Sequence, residues 1–184
     1  MVRSSLTIES LEEFMFLNKI KDPIVLGMLC GASGNGVKMI GNLFNRYILK
    51  KSDTTYIEIA SGLFMNKKER EKPVGKIVGF LADFTLGSAL GVPLVYLLKY
   101  TGKDYAALKG LAYGHLAWVT MYGTIGRTLG TSKGVFPLNA DTNLSAFINH
   151  SWYGLVTAVL IKNLGEVNIS QACVSNDTYD VSKP

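Results

Sequence analysis

Four polar residues recur at helical spacing inside the first long apolar stretch of the chain. Asn35, Lys38, Asn42 and Asn45 are separated by three, four and three residues, which places them on one face of a helix. A lysine in mid-membrane costs on the order of several kcal/mol unless it snorkels or meets a partner, so this face should meet protein or water. Asp83, the only carboxylate well inside a predicted span, is the expected partner. The pattern fits either a structural ion pair or part of a polar pathway.

The two histidines, His115 and His150, lie in or at the ends of predicted spans. Histidines on different membrane helices can ligate a b-type haem or relay protons. Histidines also act as hydrogen-bonded packing residues at an aromatic membrane interface, and the neighbouring Trp118 and Trp152 favour this interpretation. His115 is near the middle of its span and His150 is near one end. In antiparallel helices we therefore expect the two imidazoles to lie at different depths in the membrane. We therefore expect no cofactor and keep a haem bound through both histidines as an alternative.

Glycines four residues apart recur in the apolar stretches and predict close helix packing. This spacing puts both glycines of a pair on one helix face, where a second backbone can approach closely enough for dispersion and Cα–H contacts. The partner helix can belong to the same chain or to another subunit, and the sequence leaves both open. The pairs are Gly27 and Gly31, Gly75 and Gly79, Gly87 and Gly91, and Gly110 and Gly114.

The glycine-rich segment 31–38 does not fit a phosphate-binding loop. That loop requires Lys directly after its last Gly, whereas Val37 precedes Lys38 here. No Ser-His-Asp order, paired-carboxylate site or HExxH motif is recognisable. Cys30 and Cys173 show neither a disulfide framework nor a metal-ligand spacing. The sequence therefore predicts a protein that is not an enzyme and holds no metal.

The composition indicates a membrane environment for these residues. The chain has 184 residues, of which 48% are apolar and 18% charged, whereas soluble domains carry about 25% charged residues. Long windows are nearly free of charge, as expected when loops and membrane spans alternate. We predict an all-α polytopic membrane protein with four transmembrane helices, each near the ~20 residues that a bilayer requires. The predicted spans are residues 23–49, 74–98, 105–125 and 144–164.

Shorter segments surround the predicted spans. Residues 10–13 fit a helix-capping box and begin a short amphipathic helix. Residues 53–65 carry apolar side chains at helical spacing before a charge-dense run, which predicts an interfacial or re-entrant helix. Residues 126–143 have loop composition. The predicted organisation is an amphipathic segment 1–22, a four-helix membrane domain 23–165 and a polar C-terminal tail 166–184.

The basic residues predict contact with lipid and favour one orientation. The formal charge is +5, but the Lys and Arg residues stand at the edges of apolar stretches and form no helix face or aromatic-interleaved stripe. We therefore expect lipid headgroups, and not nucleic acid, as their partners. The connections after the first and third spans carry ten Lys and Arg residues, against seven on the side of both termini. This bias favours termini outside.

Several motifs in the spans occur together. They are Gly110-x-x-x-Gly114-His115-x-x-Trp118, His150-x-x-Tyr153-Gly154, Gly36-x-Lys38 and Asn45. In these motifs, residues 23–165 resemble small uncharacterised four-helix integral membrane proteins of spore-forming anaerobic bacteria. The resemblance implies a four-helix membrane fold in a bacterial cytoplasmic membrane, and it brings no activity. The N-terminal helix and the polar tail lie outside it.

Two main functional hypotheses follow from these patterns. The leading one is a structural or assembly protein that self-associates through its glycine faces, as a homo-oligomer or with other membrane subunits. The alternative is a small channel or transporter with a polar interior around Lys38 and Asp83, which Asn35, Asn42 and His115 would line. The first predicts internally paired polar residues, and the second predicts a water-accessible path. A soluble helical domain with glycine-rich hairpins is a third interpretation.

Overall fold

The computed structural model describes residues 19–125 and 140–166. Within these ranges every regular element is a helix, so the predicted all-α fold is confirmed there. The predicted N-terminal amphipathic helix, most of the predicted loop 126–143 and the tail beyond residue 166 lie outside the described residues.

Helix α1, Pro23–Leu43, has a well-defined start. The Asp22 side chain caps it by accepting hydrogen bonds from the amides of Ile24 and Val25, at 2.8 and 2.9 Å. Proline at the first helical position needs no intrahelical donor, so it fits there. The cap and the proline together fix where the first apolar stretch becomes helical.

A π-helical segment, Phe44–Ile48, continues α1. The predicted span 23–49 is therefore helical up to Ile48, but its last turn is π-helical. A π turn holds more residues than an α turn, so it changes the face on which the following side chains lie. Asn45, which regular spacing puts beside Asn42, is half-buried, whereas Asn42 is buried.

Two short helices follow, α2 at Tyr56–Ser61 and α3 at Lys67–Arg70. Thr55 and Glu58 form a reciprocal capping box at the start of α2. The helix predicted over 53–65 is thus limited to six residues. Its first residue, Tyr56, is only 4% exposed and packs inside the bundle.

Helix α4, Pro73–Thr101, is the longest element, with 29 residues. It extends beyond the predicted 74–98 at both ends. Gly102 ends it at a φ of +83°, a conformation that glycine adopts without a steric penalty. Lys109 caps this end, because its Nζ donates to the carbonyl oxygens of Thr101 at 2.8 Å and Gly102 at 2.9 Å.

Helix α5, Ala106–Trp118, continues as a π-helical segment, Val119–Ile125. Helix α6, Ala140–Leu164, begins four residues before the predicted span and inside the predicted loop. Its first turn contains Asp141, and an acidic residue is favourable at a helix N-terminus. The polar composition of this turn therefore reflects a helix start and not a loop.

Three of these helices are long and apolar enough to cross a bilayer, which fits a membrane-embedded protein in contact with lipid. They are Pro23–Tyr47 with 25 residues, Pro73–Thr101 with 29 and Ala140–Leu164 with 25. The predicted third span, 105–125, is not among them. It carries Lys109 and His115, and its α-helical part has only 13 residues.

The two ends of the bundle are each marked by contacts between distant segments. One end, which we call the terminal end, contains residues 20 and 165. There Ile20 donates its amide to Leu164 O at 2.8 Å, and Lys103 Nζ donates to Gly165 O at 2.8 Å. At the opposite, loop end, the amide of Asp53 donates to Thr142 Oγ1 at 3.1 Å. Between these ends α1 packs against α4 and α6, α5 packs against α6, and α2 packs against α4.

The interior differs between the two ends. Near the terminal end it is apolar, and we call this cluster the apolar core: Leu26, Cys30, Leu94, Val95, Leu98, Ala106, Ala158 and Ile161. Towards the loop end it contains buried polar side chains, which we call the polar interior: Asn35, Lys38, Asn42, Asp83, Thr142, Ser145, Asn149 and His150. The candidate site lies in the polar interior.

Candidate functional site

An ion pair joins α1 to α4 inside the bundle. Lys38 Nζ lies 2.9 Å from Asp83 Oδ1, with only 9% and 10% of the two side chains exposed. Asn35, one turn before Lys38, donates its Nδ2 to Asp83 Oδ2 at 2.8 Å. The partnership of Lys38 and Asp83 predicted from the sequence is therefore present, and each carboxylate oxygen has a donor.

The hydrogen bond from Asn35 to the second carboxylate oxygen of Asp83 lowers the energetic cost of burying the ion pair. Removing two charges from water costs several kcal/mol per ion, and their attraction compensates only when the remaining lone pairs are also satisfied. Asn35 supplies that extra donor to Asp83, and its Nδ2 also lies 3.3 Å from the Asp83 backbone oxygen. The three side chains therefore form one connected unit between α1 and α4.

Tyr56 covers the cationic side of the pair. Its ring centroid lies 4.6 Å from Lys38 Nζ, within the range of a cation–π interaction. Its other neighbour is the His150 imidazole, at 5.4 Å between centroids and nearly perpendicular. Burial raises the pKa of the Tyr56 hydroxyl above its usual range, so this group stays protonated at neutral pH.

Asn42 positions Tyr56 over the pair. Asn42 Oδ1 accepts the amide of Tyr56 at 3.0 Å, and Asn42 Nδ2 donates to Thr54 O at 3.3 Å. A single side chain on α1 thus satisfies a donor and an acceptor at the start of α2. The structure therefore gives Asn42 a role in placing a neighbouring element, in contact with the backbone and not with a charged group.

One polar atom of the site lacks a hydrogen-bond partner within the described ranges. Asn35 Oδ1 is buried without a donor, and Asn35 as a whole is 0% exposed. The atom lies against Gly87 of α4, where an added Cβ would be 2.5 Å from it. Gly87 therefore provides the space that the Asn35 side chain occupies.

Two tyrosines bind the backbone of α4 just beyond the ion pair. Tyr153 donates its hydroxyl to Gly87 O at 2.8 Å, and Tyr113 donates to Leu90 O at 2.6 Å. Pro93 lies in the same part of α4 and supplies no backbone N–H. The missing N–H leaves Ala89 O without its helical donor, and the tyrosines of α5 and α6 bind carbonyls on either side of it.

The two histidines lie in different surroundings. His150 Nδ1 is 2.8 Å from Ala146 O, and the ring packs on Tyr56. His115 Nε2 lies 2.7 Å from Ser151 Oγ, and its ring stacks on Phe147 at 4.1 Å between centroids. His150 belongs to the polar interior, whereas His115 is half-buried against Ser151 and Phe147 of α6. No group of three His, Cys, Asp or Glu residues that could hold a metal occurs among the residues described.

All eight glycines of the four pairs are buried against the chain's own elements. A Cβ at Gly91 would overlap Gly27 O, and one at Gly31 would lie 2.6 Å from Gly87 O. Added atoms at Gly110 and Gly114 would overlap the backbone of α6 in the same way. The remaining pair meets the segment before α4, with Gly79 against Ile57 O and Gly75 against Glu69 O. Because these faces are filled within one chain, they are not free to join subunits.

Sequence reasoning missed three contributors to the site. Tyr56 lies in the segment 53–65, whose apolar spacing predicts only an interfacial or re-entrant helix, and Tyr153 enters only through the motif His150-x-x-Tyr153-Gly154. Asn149 is buried beside Gly41 on α1, where an added Cβ would overlap its Oδ1. Thr142 and Ser145 precede it at spacings of seven and four, so a polar stripe on α6 was the available signal.

At its centre the site thus combines the Asp83 carboxylate, the Lys38 ammonium and the Asn35 amide, with the Tyr56 ring over the ammonium. In comparisons with known proteins, no family model, no curated protein and no solved structure matches this chain.

Proposed function

We propose that this protein is a small channel or transporter that moves a charged solute or a proton through its interior, with the Lys38–Asp83 pair as the exchange site. The observation that carries the proposal is a buried ion pair inside a bundle of membrane-compatible helices. Ionisable side chains are costly within a bilayer, and those that face a protein interior commonly mark a pathway.

Buried polar side chains follow one another from the pair towards the loop end, and some of the hydrogen bonds that join them must open for a solute to pass. Tyr56 contacts Lys38, and Asn42 holds the start of α2 in place. Thr142, near the start of α6, reaches the Asp53 amide at the loop end. Buried polar residues therefore extend from the pair to the connection between α1 and α2. A solute entering from this end would meet hydrogen-bonding groups before it met the charges.

The apolar core closes the opposite route. Leu94 and Leu98 follow Asp83 along α4 and are fully buried, and Leu26 lies on the matching turns of α1. A charged solute cannot pass such a core without a rearrangement. The weakened ladder around Pro93, with tyrosines on its flanking carbonyls, is the place where α4 can bend. The proposal therefore places solute entry at the loop end, where the interior is polar.

The proposal includes a fourth membrane crossing, formed by Ala106–Trp118 and Val119–Ile125. Helix α4 ends at the terminal end, since Lys103, two residues after Thr101, donates to Gly165 O there. Helix α6 starts at the loop end, where Thr142 meets Asp53. The chain between them must therefore travel from the terminal end to the loop end. Antiparallel packing of α5 on α6, through Gly110 and Gly114, supports this path.

The other hypotheses receive less support from the geometry. Self-association through the glycine faces would need surfaces that the chain's own helices occupy. A haem between the histidines would need two imidazoles that face one slot, whereas His115 lies on Phe147 and His150 lies on Tyr56. The Ser151 hydroxyl beside His115 already donates to Phe147 O at 2.9 Å within α6, which favours packing over catalysis.

Flux through proteoliposomes tests the proposal. The purified protein is reconstituted with a trapped pH dye, and proton or ion gradients are imposed in turn. We expect a flux at least about tenfold above protein-free vesicles, abolished by Asp83→Asn. The matched control is Lys76→Met, an exposed charge at the start of α4, which should retain the flux. Flux that survives Asp83→Asn, or no flux under any gradient, would refute the proposal.

A further inference from the structure

A half-buried arginine lies between the short helices and the start of α4, outside the ion-pair site. Arg70 ends α3, and its Nε donates to Met65 O at 3.1 Å. A Cβ added at Gly62 would lie 2.7 Å from Arg70 Cζ and 2.8 and 2.9 Å from its two Nη atoms. The guanidinium therefore lies against the bare backbone of Gly62 and is fixed at one edge by Met65.

The other edge of this guanidinium is free to bind an anion. Within residues 19–125 and 140–166, no acceptor contacts either Nη atom of Arg70, and no carboxylate pairs with it. The planar fork of a guanidinium binds the oxygens of a phosphate or carboxylate through two parallel hydrogen bonds. Because Arg70 is already held by packing and by Met65, it loses less side-chain entropy on binding than a mobile arginine would.

The charges around Arg70 favour an anion. Lys67 lies one turn before it on α3, and Lys72 directly precedes the first turn of α4; both are exposed. Segment 67–72 has four cationic and two acidic residues, a net charge of +2. No ion pair joins these side chains in the part of the chain that the structure describes. An anionic ligand would therefore meet a positive surface that its own acids do not neutralise.

The apolar side chains that follow indicate the depth of this surface in the membrane. Helix α4 begins at Pro73 and is apolar enough to span a bilayer. Val74, Ile77 and Phe80 are exposed on its first turns, where lipid acyl chains would cover them. The residues just before α4, including Arg70, therefore lie at the level of the headgroups, where the available phosphate belongs to a phospholipid.

We infer that Arg70, with Lys67 and Lys72, binds the phosphate of an anionic phospholipid whose acyl chains lie along the exposed apolar side of α4. The net positive charge selects an anionic headgroup, because a zwitterionic choline headgroup would bring a further cation beside the lysines. The inference goes beyond the proposed function and does not depend on it, since lipid can bind here whether or not the Lys38–Asp83 pair moves a solute.

Lipid retention is the direct test. Wild-type protein in nanodiscs of equal amounts of phosphatidylglycerol and phosphatidylcholine is released for native mass spectrometry, which counts the lipids that stay bound. We expect at least one phosphatidylglycerol per chain, retained about fivefold over phosphatidylcholine. In detergent, phosphatidylglycerol should raise Tm, whereas phosphatidylcholine and inorganic phosphate should not. Equal retention of the two lipids would overturn the inference, and so would an equal rise in Tm with inorganic phosphate, which would indicate a site for free anions.

Two variants that keep the net charge assign the site to the guanidinium. Arg70→Lys lacks the two parallel donors, and Gly62→Ala places a methyl group where the guanidinium lies. Gly62 has a φ of −65°, which alanine also adopts, so the backbone can accept this change. Both variants should abolish the preference for phosphatidylglycerol. Lys162→Gln removes an exposed charge at the terminal end and, as the control, should keep the preference. A preference that survives either Arg70→Lys or Gly62→Ala would overturn the inference.

Discussion

Tyr56 lies with its ring centroid 4.6 Å from Lys38 Nζ, so the short helix α2 contacts the same ion pair that joins α1 to α4. Three elements therefore meet at one buried charge. Asn42 strengthens this junction, because its side chain binds the backbone at the start of α2. Any movement of α2 at the loop end would move the Tyr56 ring relative to Lys38. In the proposed function, the entry of a solute from that end is therefore coupled to the Lys38–Asp83 ion pair.

The glycine contacts between α1 and α4 predict a contrast between two glycines of similar sequence context. Gly91→Ala should lower stability by about 1–3 kcal/mol, because the new Cβ would overlap Gly27 O and backbone must move. Gly36→Ala has no neighbour within 4 Å of its Cβ and should raise stability by up to about 1 kcal/mol. Thermal unfolding in detergent measures both. Equal effects at the two sites would contradict the packing described.

The tyrosine support of α4 predicts a small and specific loss. Tyr153→Phe removes the hydroxyl that donates to Gly87 O at 2.8 Å and should lower stability by about 1 kcal/mol. Tyr100→Phe is the matched control, because Tyr100 is 80% exposed. Both variants are compared by Tm at one protein and detergent concentration. A Tm loss at Tyr100 as large as that at Tyr153 would count against the assigned hydrogen bond.

Lys103 predicts a pH dependence at the terminal end. Burial, with the nearby charges of Lys19 and Lys162, holds the pKa of Lys103 below its usual value. The unfolded chain therefore keeps this proton to higher pH than the folded protein does. Between the two pKa values the unfolded state binds more protons, so the contribution of Lys103 to the free energy of unfolding rises with pH.

A pH series of Tm values checks this sign. The difference in Tm between the wild type and Lys103→Gln should shift in favour of the wild type as the pH approaches the ordinary lysine pKa of about 10.4. Lys21→Gln serves as the control, since Lys21 is exposed and should leave the wild-type pH profile unchanged. A difference that falls with rising pH would show that the pKa of Lys103 is raised instead.

The opposite directions of α1 and α4 predict which positions share a side of the membrane. In a background without Cys30 and Cys173, Lys21→Cys and Asp104→Cys should react with an impermeant thiol reagent from one side. Lys50→Cys and Lys68→Cys should react only from the other side. Labelling of sealed, uniformly oriented vesicles measures this. Reaction of position 104 on the same side as position 68 would exclude the arrangement in which α4 runs from the loop end to the terminal end.

The ion pair could be predicted because residue spacing within α1 and the scarcity of charge in the spans both point to it. Spacings of three and four put Asn35, Lys38 and Asn42 on one face, and the cost of a lone buried lysine required a carboxylate. Asp83 was the single candidate inside a span. The general membrane character followed from the scarcity of charge in the long apolar stretches, and the three apolar helices agree with it.

Other features depend on contacts between distant segments and were not predictable. The position of Tyr56 is set by Asn42, fourteen residues earlier, and by Lys38, neither of which changes the local pattern of α2. The π-helical turn that carries Asn45 has no clear signal in residue spacing. Glycine spacing likewise predicts a close approach but does not name the partner, so the same motif fitted packing within a chain and packing between chains.

The most direct test of the account is the transport activity of a variant in which both charges are replaced together. Lys38→Met combined with Asp83→Leu substitutes apolar side chains of similar volume, a change that is often neutral or stabilising for a buried ion pair. The variant should therefore keep the wild-type Tm and lose the flux in proteoliposomes, because an intact fold without the charges has no exchange site. A folded double variant that carries the wild-type flux would contradict the account and leave the Lys38–Asp83 pair with a structural role alone.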